Sequence, residues 1–208
     1  TVDGKKNFTY QPWSQPGVFD AFTGSVRFKH NLDNGWLWTT QYGTQRLKTD
    51  DRLSFAFGAD NYGIATNFKS NGDFDLYDWR SENERRLNQA VQTEFSGSTV
   101  IGQQKHDLKI SLMRQRQLDR MPLTQTNNYV GSANIYSNQV DTTFAYSDSP
   151  YSTNRTEYSN EFALKDRVHL TQQTSAWLGL RQIQMNRQSV RTDGSSPVQD
   201  ARNVTTPW

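Results

Sequence analysis

From Phe22 to Asn31 the even positions carry Phe22, Gly24, Val26 and Phe28, and the odd positions carry Thr23, Ser25, Arg27 and Lys29. A two-residue period puts apolar groups on one face of a β-strand and polar groups on the other. Residues 31–35, Asn-Leu-Asp-Asn-Gly, tolerate the positive φ of a tight turn. A second strand then runs from Trp36 to about Leu47, with Trp36, Trp38, Thr40 and Tyr42 on one face and Thr39, Gln41 and Gln45 on the other. The two read as a hairpin.

The plan recurs twice. Val91, Thr93, Phe95 and Gly97 alternate with Gln92, Glu94, Ser96 and Ser98. A turn near Gly102-Gln103-Gln104 leads into His106, Leu108, Ile110 and Leu112, which alternate with Asp107, Lys109, Ser111 and Met113. Later, Tyr158, Phe162 and Leu164 alternate with Glu157, Ser159 and Glu161, a turn is expected over Lys165 to His169, and Ala176, Leu178 and Leu180 alternate with Ser175, Gly179 and Arg181. Trp177 falls on the polar face of that last strand.

Between the hairpins lie Lys48 to about Tyr77, Gln117 to about Asn154, and Gln188 to the end, rich in Asn, Ser, Thr, Asp, Gly and Tyr and without a helical period. Part of this length is expected to be strand, Tyr129 to Asn138 above all. Long loops inside a compact soluble domain count against an assignment, whereas a membrane barrel has short turns at one end and long loops at the other.

Composition narrows the choice. A mean hydropathy of −0.89 over 208 residues, with 16 Asn and 18 Gln, sits beside 6 Trp, 9 Tyr and 11 Phe. Disordered chains lack such aromatic content. A barrel with a wet interior accommodates both, because lipid-facing and lumen-facing residues alternate along each strand. No run of about 18 apolar residues exists, so a transmembrane helix is excluded. Without cysteine no disulfide or thiolate metal site can form. A net charge of +2 without a basic block argues against a nucleic-acid partner. The expected architecture is therefore all-β: an antiparallel transmembrane β-barrel, partial, with long strands, short periplasmic turns and long extracellular loops. A β-sandwich, with shorter strands and turns every ~8–12 residues, is the rival.

Several segments carry a family resemblance. Phe95-Ser-Gly97-Ser-Thr-Val-Ile-Gly102-Gln-Gln-Lys-His106-Asp-Leu108 is similar to the hairpin of TonB-dependent siderophore receptors in which a strand ends in a Gly turn and restarts with His-x-Leu. Asp166-Arg-Val168-His-Leu170 followed by Trp177-Leu-Gly179-Leu-Arg181 resembles a later hairpin of that family, and Asp75-Leu-Tyr77-Asp-Trp79-Arg80 and Thr206-Pro207-Trp208 resemble further barrel segments. Ser111 stands where the family often has Gly. The resemblance implies an outer-membrane receptor that imports a ferric siderophore, in a barrel of about 22 strands with a plugged lumen. Against that number, the alternation marks six strands and roughly two to four more. Residues 1–208 are thus expected to be part of a barrel with no plug domain, coupled to TonB through an N-terminal part outside them. A small passive channel or adhesin barrel, and a secreted glycan-binding β-domain, are the alternatives.

No catalytic signature occurs, so no enzyme and no cofactor are expected. His30, His106 and His169 each sit beside a short turn, where polar capping at one rim is expected rather than a metal site. Asn71-Gly-Asp73-Phe-Asp75, with Glu82 at the twelfth place, imitates a calcium loop, but Leu76 replaces the required glycine. Tyr62, Trp79, Arg80, Tyr129, Tyr136, Tyr146 and Tyr151 are the candidate ligand-binding residues in the long segments. Aromatic faces and guanidinium forks suit an anionic iron chelate.

Overall fold

The computed structural model of the chain describes residues 3–5, 7, 10–58, 68–137, 140–142 and 151–207. Among these residues there are nine strands and no helix: β1 (Gln15–Asn31), β2 (Leu37–Gly58), β3 (Asp73–Ile101), β4 (Gln104–Arg120), β5 (Thr126–Asn134), β6 (Val140–Thr142), β7 (Thr153–His169), β8 (Ser175–Arg191) and β9 (Val198–Pro207). They form one sheet in the order β1-β2-β3-β4-β7-β8-β9, with β5 pairing β3 and β6. The pairings of β3 through β9 are antiparallel. Strands of 17 to 29 residues, as in β4 and β3, are far longer than the ~5–6 residues usual in soluble sheets.

The chain divides into two units. One comprises Thr1–Asp20, Lys48–Glu84 and Met121–Ser152, and the other Ala21–Leu47, Arg85–Arg120 and Thr153–Trp208. We refer to them as the core unit and the wall unit.

In the wall unit the register carries the alternation read from the sequence across four strands. Thr93, Leu112 and Phe162 share one row and Phe95, Ile110, Leu164 and Leu180 the next. Ile110, Leu112, Leu178 and Leu180 are exposed on this apolar face. Toward the short turns it ends in aromatics: Trp38 meets Phe28 edge-on at 5.5 Å and stacks on Phe95 at 6.0 Å, and its indole N–H donates to Thr93 Oγ1 at 2.9 Å. Gly97 is required there, because a Cβ would lie 2.5 Å from the Trp36 ring. At the β3–β4 turn Gly102 takes φ 66°, a left-handed conformation that glycine adopts without a Cβ clash.

Two expectations about this unit change. Lys165–His169 is strand, paired residue for residue with β4 and β8, and the turn lies at Leu170–Thr174, closed by Leu170 N–H to Thr174 O at 3.0 Å. The charged run that imitates a turn supplies side chains to both faces of the sheet. Gln188 to the end is not a long loop: β8 runs on to Arg191, six residues turn the chain, and β9 holds 198–207. Backbone pairing needs no apolar side chain, so a polar strand leaves little period to read. Thr206 and Pro207 belong to β9.

In the core unit, β2 and β3 extend into what reads as loop, and the strand expected over Tyr129–Asn138 is β5, followed by a turn at Ile135 and Tyr136. Its centre is Phe74, Leu76, Val130 and Ala133, with Trp13, Ala56 and Ile135 packed around them. Val130 and Ala133 are three apart and still share the buried side, because β5 bulges opposite Leu76/Tyr77 with Gly131 at φ 151°.

Candidate functional site

β3 enters the core unit as Asp73-Phe74-Asp75-Leu76-Tyr77-Asp78-Trp79-Arg80. Phe74, Leu76 and Asp78 are buried, so alternation sends Tyr77 and Trp79 to the opposite face. Asp78 Oδ1 accepts the Asn128 N–H at 3.0 Å, while Arg80 Nε lies 3.3 Å from Asp78 Oδ2. The Arg80 guanidinium also stands over the Trp13 ring, 5.8 Å from its centroid. A buried carboxylate is tolerated only with such partners. Thr126, the backbone partner of Arg80, has a buried Oγ1 with no hydrogen-bond partner among the described residues, as does Gln11 Nε2. Buried polar atoms are nearly always bonded, so these two are open capacity for a polar group.

Further along β3 a second buried carboxylate, Glu84, collects neutral donors. Ser81 Oγ donates to its Oε1, Thr49 Oγ1 to its Oε2 at 3.3 Å, and Gln125 Nε2 to its Oε1 at 3.0 Å. Asn83, between them, has φ 63°, and its N–H donates to Asp50 Oδ1 at 2.5 Å.

Of the residues expected to meet a ligand, Arg80 lies with this buried polar set. Trp79 and Tyr129 do not: Tyr129 pairs with Tyr77, meets its ring edge-on at 5.8 Å, and shares a 2.8 Å hydrogen bond with Ser132 Oγ on the exposed side. Tyr136 packs at the end of β5 over Gly72, where a Cβ would come within 2.6 Å of its ring. Tyr151 forms a bridge with Thr124. Tyr62 and Tyr146 lie outside the described residues. Trp13, Asp78, Asn128 and Glu84 were not singled out; the only signal was the Phe74/Leu76/Asp78/Arg80 alternation.

The calcium-like pattern does not converge. The strand carries Glu82 about 30 Å from Asp73 at ~3.3 Å per residue, and Glu82 pairs with Arg52 at 2.6 Å. Asp73 instead accepts the Asn134 amide at 2.7 Å and the Asn71 amide at 2.6 Å, which together hold its carboxyl below the usual range. The histidines disperse as well. His106 Nδ1 lies 2.7 Å from Asp166 Oδ2 on the apolar face of the wall unit, His169 Nε2 lies 2.7 Å from Asp107 Oδ2 on its polar face, and His30 stacks on Phe28. Among the described residues no group of three His, Asp or Glu is placed to hold a metal ion.

The polar face of the wall unit is a ladder of opposite charges. Lys109 Nζ meets Glu94 at 2.8 Å, Arg181 meets Glu161 at 2.6 Å and Arg187 meets Glu157 at 2.7 Å. A cavity of about 430 Å³ opens between Glu94, Lys109, Glu161, Lys165 and Arg181. Trp177, out of place on this face in the sequence, lies under the Arg167 guanidinium at 5.4 Å. The arrangement can bind, stack and exchange ion pairs.

No family model and no curated protein sequence matches the chain. Solved structures do match in fold. The ferric preacinetobactin receptor BauA from Acinetobacter baumannii superposes with a TM-score of 0.64 at 16% identity, covering 92% of this chain and 27% of the receptor. The ferric citrate transporter FecA in its unliganded form gives 0.59 at 11% identity, covering 92% of this chain and 24% of FecA. The FpvAI protein of a complex with pyocin S2 gives 0.61 at 12% identity, covering 89% of this chain and 23% of that one. The chain thus spans about a quarter of the length of these proteins. At such identities the likeness establishes the fold: an antiparallel β-sheet of the kind that forms the barrel of outer-membrane receptors.

Proposed function

We propose that this chain is part of the barrel wall of a TonB-dependent receptor in a bacterial outer membrane, and that the receptor imports a ferric siderophore. The observation that carries the reading is the two-faced wall: an exposed apolar band across β3, β4, β7 and β8 backed by a ladder of ion pairs, in a fold shared with receptors for ferric chelates. Lipid is the environment that stabilises such a band, and water is what the ladder needs. Capture of the chelate falls to the core unit, where the Arg80 guanidinium and the Trp13 ring offer a cation and an aromatic face beside the unbonded Thr126 hydroxyl. Transport then proceeds by ligand-induced rearrangement with no bond made or broken, and energy coupling through TonB engages parts of the receptor other than these residues.

The test is tryptophan fluorescence of the full-length receptor titrated with ferric catecholate, hydroxamate and carboxylate chelates. Saturable quenching by one class, weakened at least tenfold by Arg80→Gln, is expected. No quenching by any class would sink the substrate assignment.

A further inference from the structure

We propose that the core unit carries, on the face opposite its packed centre, a binding platform for a neutral saccharide chain. The alternation that buries Phe74, Leu76 and Asp78 sends Asp75, Tyr77 and Trp79 to the other side of β3. Four rings on that side run together across β2, β3 and β5. Phe55 lies 6.4 Å from Phe57, Phe57 meets Tyr77 edge-on at 5.2 Å, and Tyr77 meets Tyr129 edge-on at 5.8 Å. Phe55, Phe57 and Tyr129 are exposed. Trp79 stands two residues beyond Tyr77, opposite Asn127, and Asp75 two residues before it, opposite Ser132. Neighbouring rings are turned by 51°, 79° and 71°, so the ridge presents ring faces in more than one direction.

These rings are distinct from the apolar band of the wall unit. The stretch of β3 from Tyr77 to Phe95 is far longer than the ~9–11 residues with which a tilted strand crosses a bilayer, so the rings and the band do not share one membrane-spanning length. Their chemistry differs as well. The band exposes aliphatic groups such as Ile110, Leu112, Leu178 and Leu180, whereas the ridge exposes aromatic rings bordered by polar groups. Ser132 Oγ donates to Asp75 Oδ1 at 3.1 Å and stands 2.8 Å from the Tyr129 hydroxyl, so the phenol is the donor of that bond and keeps its own lone pairs for a further donor. Among the described residues, Asp75 Oδ2, the Trp79 indole N–H and the Asn127 amide have no hydrogen-bond partner.

That combination selects the ligand. A sugar ring has C–H patches that rest on aromatic faces, and hydroxyls at its edge that both donate and accept. The ridge supplies the faces, and its border supplies an acceptor at Asp75, a donor at Trp79 and an amide at Asn127 that does both. An acyl chain would leave this border unused. An anionic chelate would meet the Asp73 and Asp75 carboxylates, which alternation places on this side of β3, while Arg80 lies with the buried polar set on the other. One strand therefore sorts two ligand chemistries, a guanidinium on one face for an anion and rings with carboxylates on the other for a neutral polyhydroxyl compound.

The experiment uses the full-length receptor in an amine-oxide detergent, which has no sugar head group, titrated by calorimetry with cellohexaose, chitohexaose, maltohexaose and anionic hexagalacturonate. Saturable binding of at least one neutral hexasaccharide is expected, with hexagalacturonate about tenfold weaker through repulsion by the two carboxylates. Phe57→Ser and Tyr129→Ser should each weaken the neutral sugar about tenfold by removing an exposed ring. Asp75→Asn, which keeps the shape and removes the charge, should narrow the gap between neutral and anionic sugars, and hydrogen exchange of the β3–β5 amides verifies that each variant keeps its fold. Quenching by a ferric chelate should be unchanged in Tyr129→Ser, so saccharide binding and the import reading stand or fall separately. Binding of no neutral hexasaccharide, unchanged binding in both ring variants, or tighter binding of hexagalacturonate overturns the proposal. Self-association of the receptor that Tyr129→Ser abolishes, with no saccharide bound, assigns the face to a second copy and overturns it as well.

Discussion

The core unit and the wall unit are made of the same kind of strand and are stabilised in opposite ways. The core unit encloses Phe74, Leu76, Val130 and Ala133 and satisfies buried Asp78 and Glu84 with internal donors. In the wall unit, Ala163 is the one buried apolar residue among those described, and large apolar side chains such as Leu112 and Leu178 are exposed. A contiguous exposed apolar face of this kind marks a membrane- or partner-facing surface.

The comparison breaks most readily at Leu76, which is fully buried. Leu76→Ala should destabilise the core unit by about 3–5 kcal/mol through lost burial and the cavity left behind. Hydrogen exchange of the β3–β5 amides reads this, and wall-unit exchange should stay unchanged. Ile110→Arg tests the other side. Placing a cation on the lipid face costs about 2–4 kcal/mol near the middle of a bilayer and little in water. Poor assembly in membranes is expected, and wild-type assembly and stability would refute the lipid-facing assignment. Gly97→Val should cost about 1–3 kcal/mol by pushing Trp36 off the sheet, seen as a shift in tryptophan emission.

The smallest effect is one of pH. Asp73 has its carboxyl lowered from 3.8, first by the Asn134 amide and then by Asn71. A depressed folded value means that the bond stabilises above the unfolded value and is lost as pH falls through the folded one, so the effect sits below about pH 4. Exchange at the Ile135 amide, which donates to Gly72 O at 2.9 Å, should quicken in that window for the wild type. In Asp73→Asn the same amide should show no such step.

Much of the wall was legible because its signal is local. Three hairpins, their short turns at Gly35 and Gly102, and the split into polar and apolar faces follow from a period of two that any reader of the chain can count. The candidate site was hardly legible. Arg80 was chosen for its charge and Tyr129 for its ring, yet the strand places them on opposite faces of the β3–β5 pair. Trp13 reaches Arg80 across 67 residues of sequence, and Gln125 reaches Glu84 across 41. The β5 bulge also shifts the alternation by one residue, which hides Ala133 from a count of alternate positions.

The amino-acid sequence by itself determined which face of each wall strand is polar and which apolar, because side-chain direction in an unbulged strand follows parity. Only the tertiary structure decided which strands lie side by side. That choice gave Lys109, Arg181 and Arg187 their carboxylates and closed a core around Leu76 from segments far apart in the chain. Pairing between strands depends on register and on backbone hydrogen bonds that every residue but proline can make, so the residue types alone do not encode it.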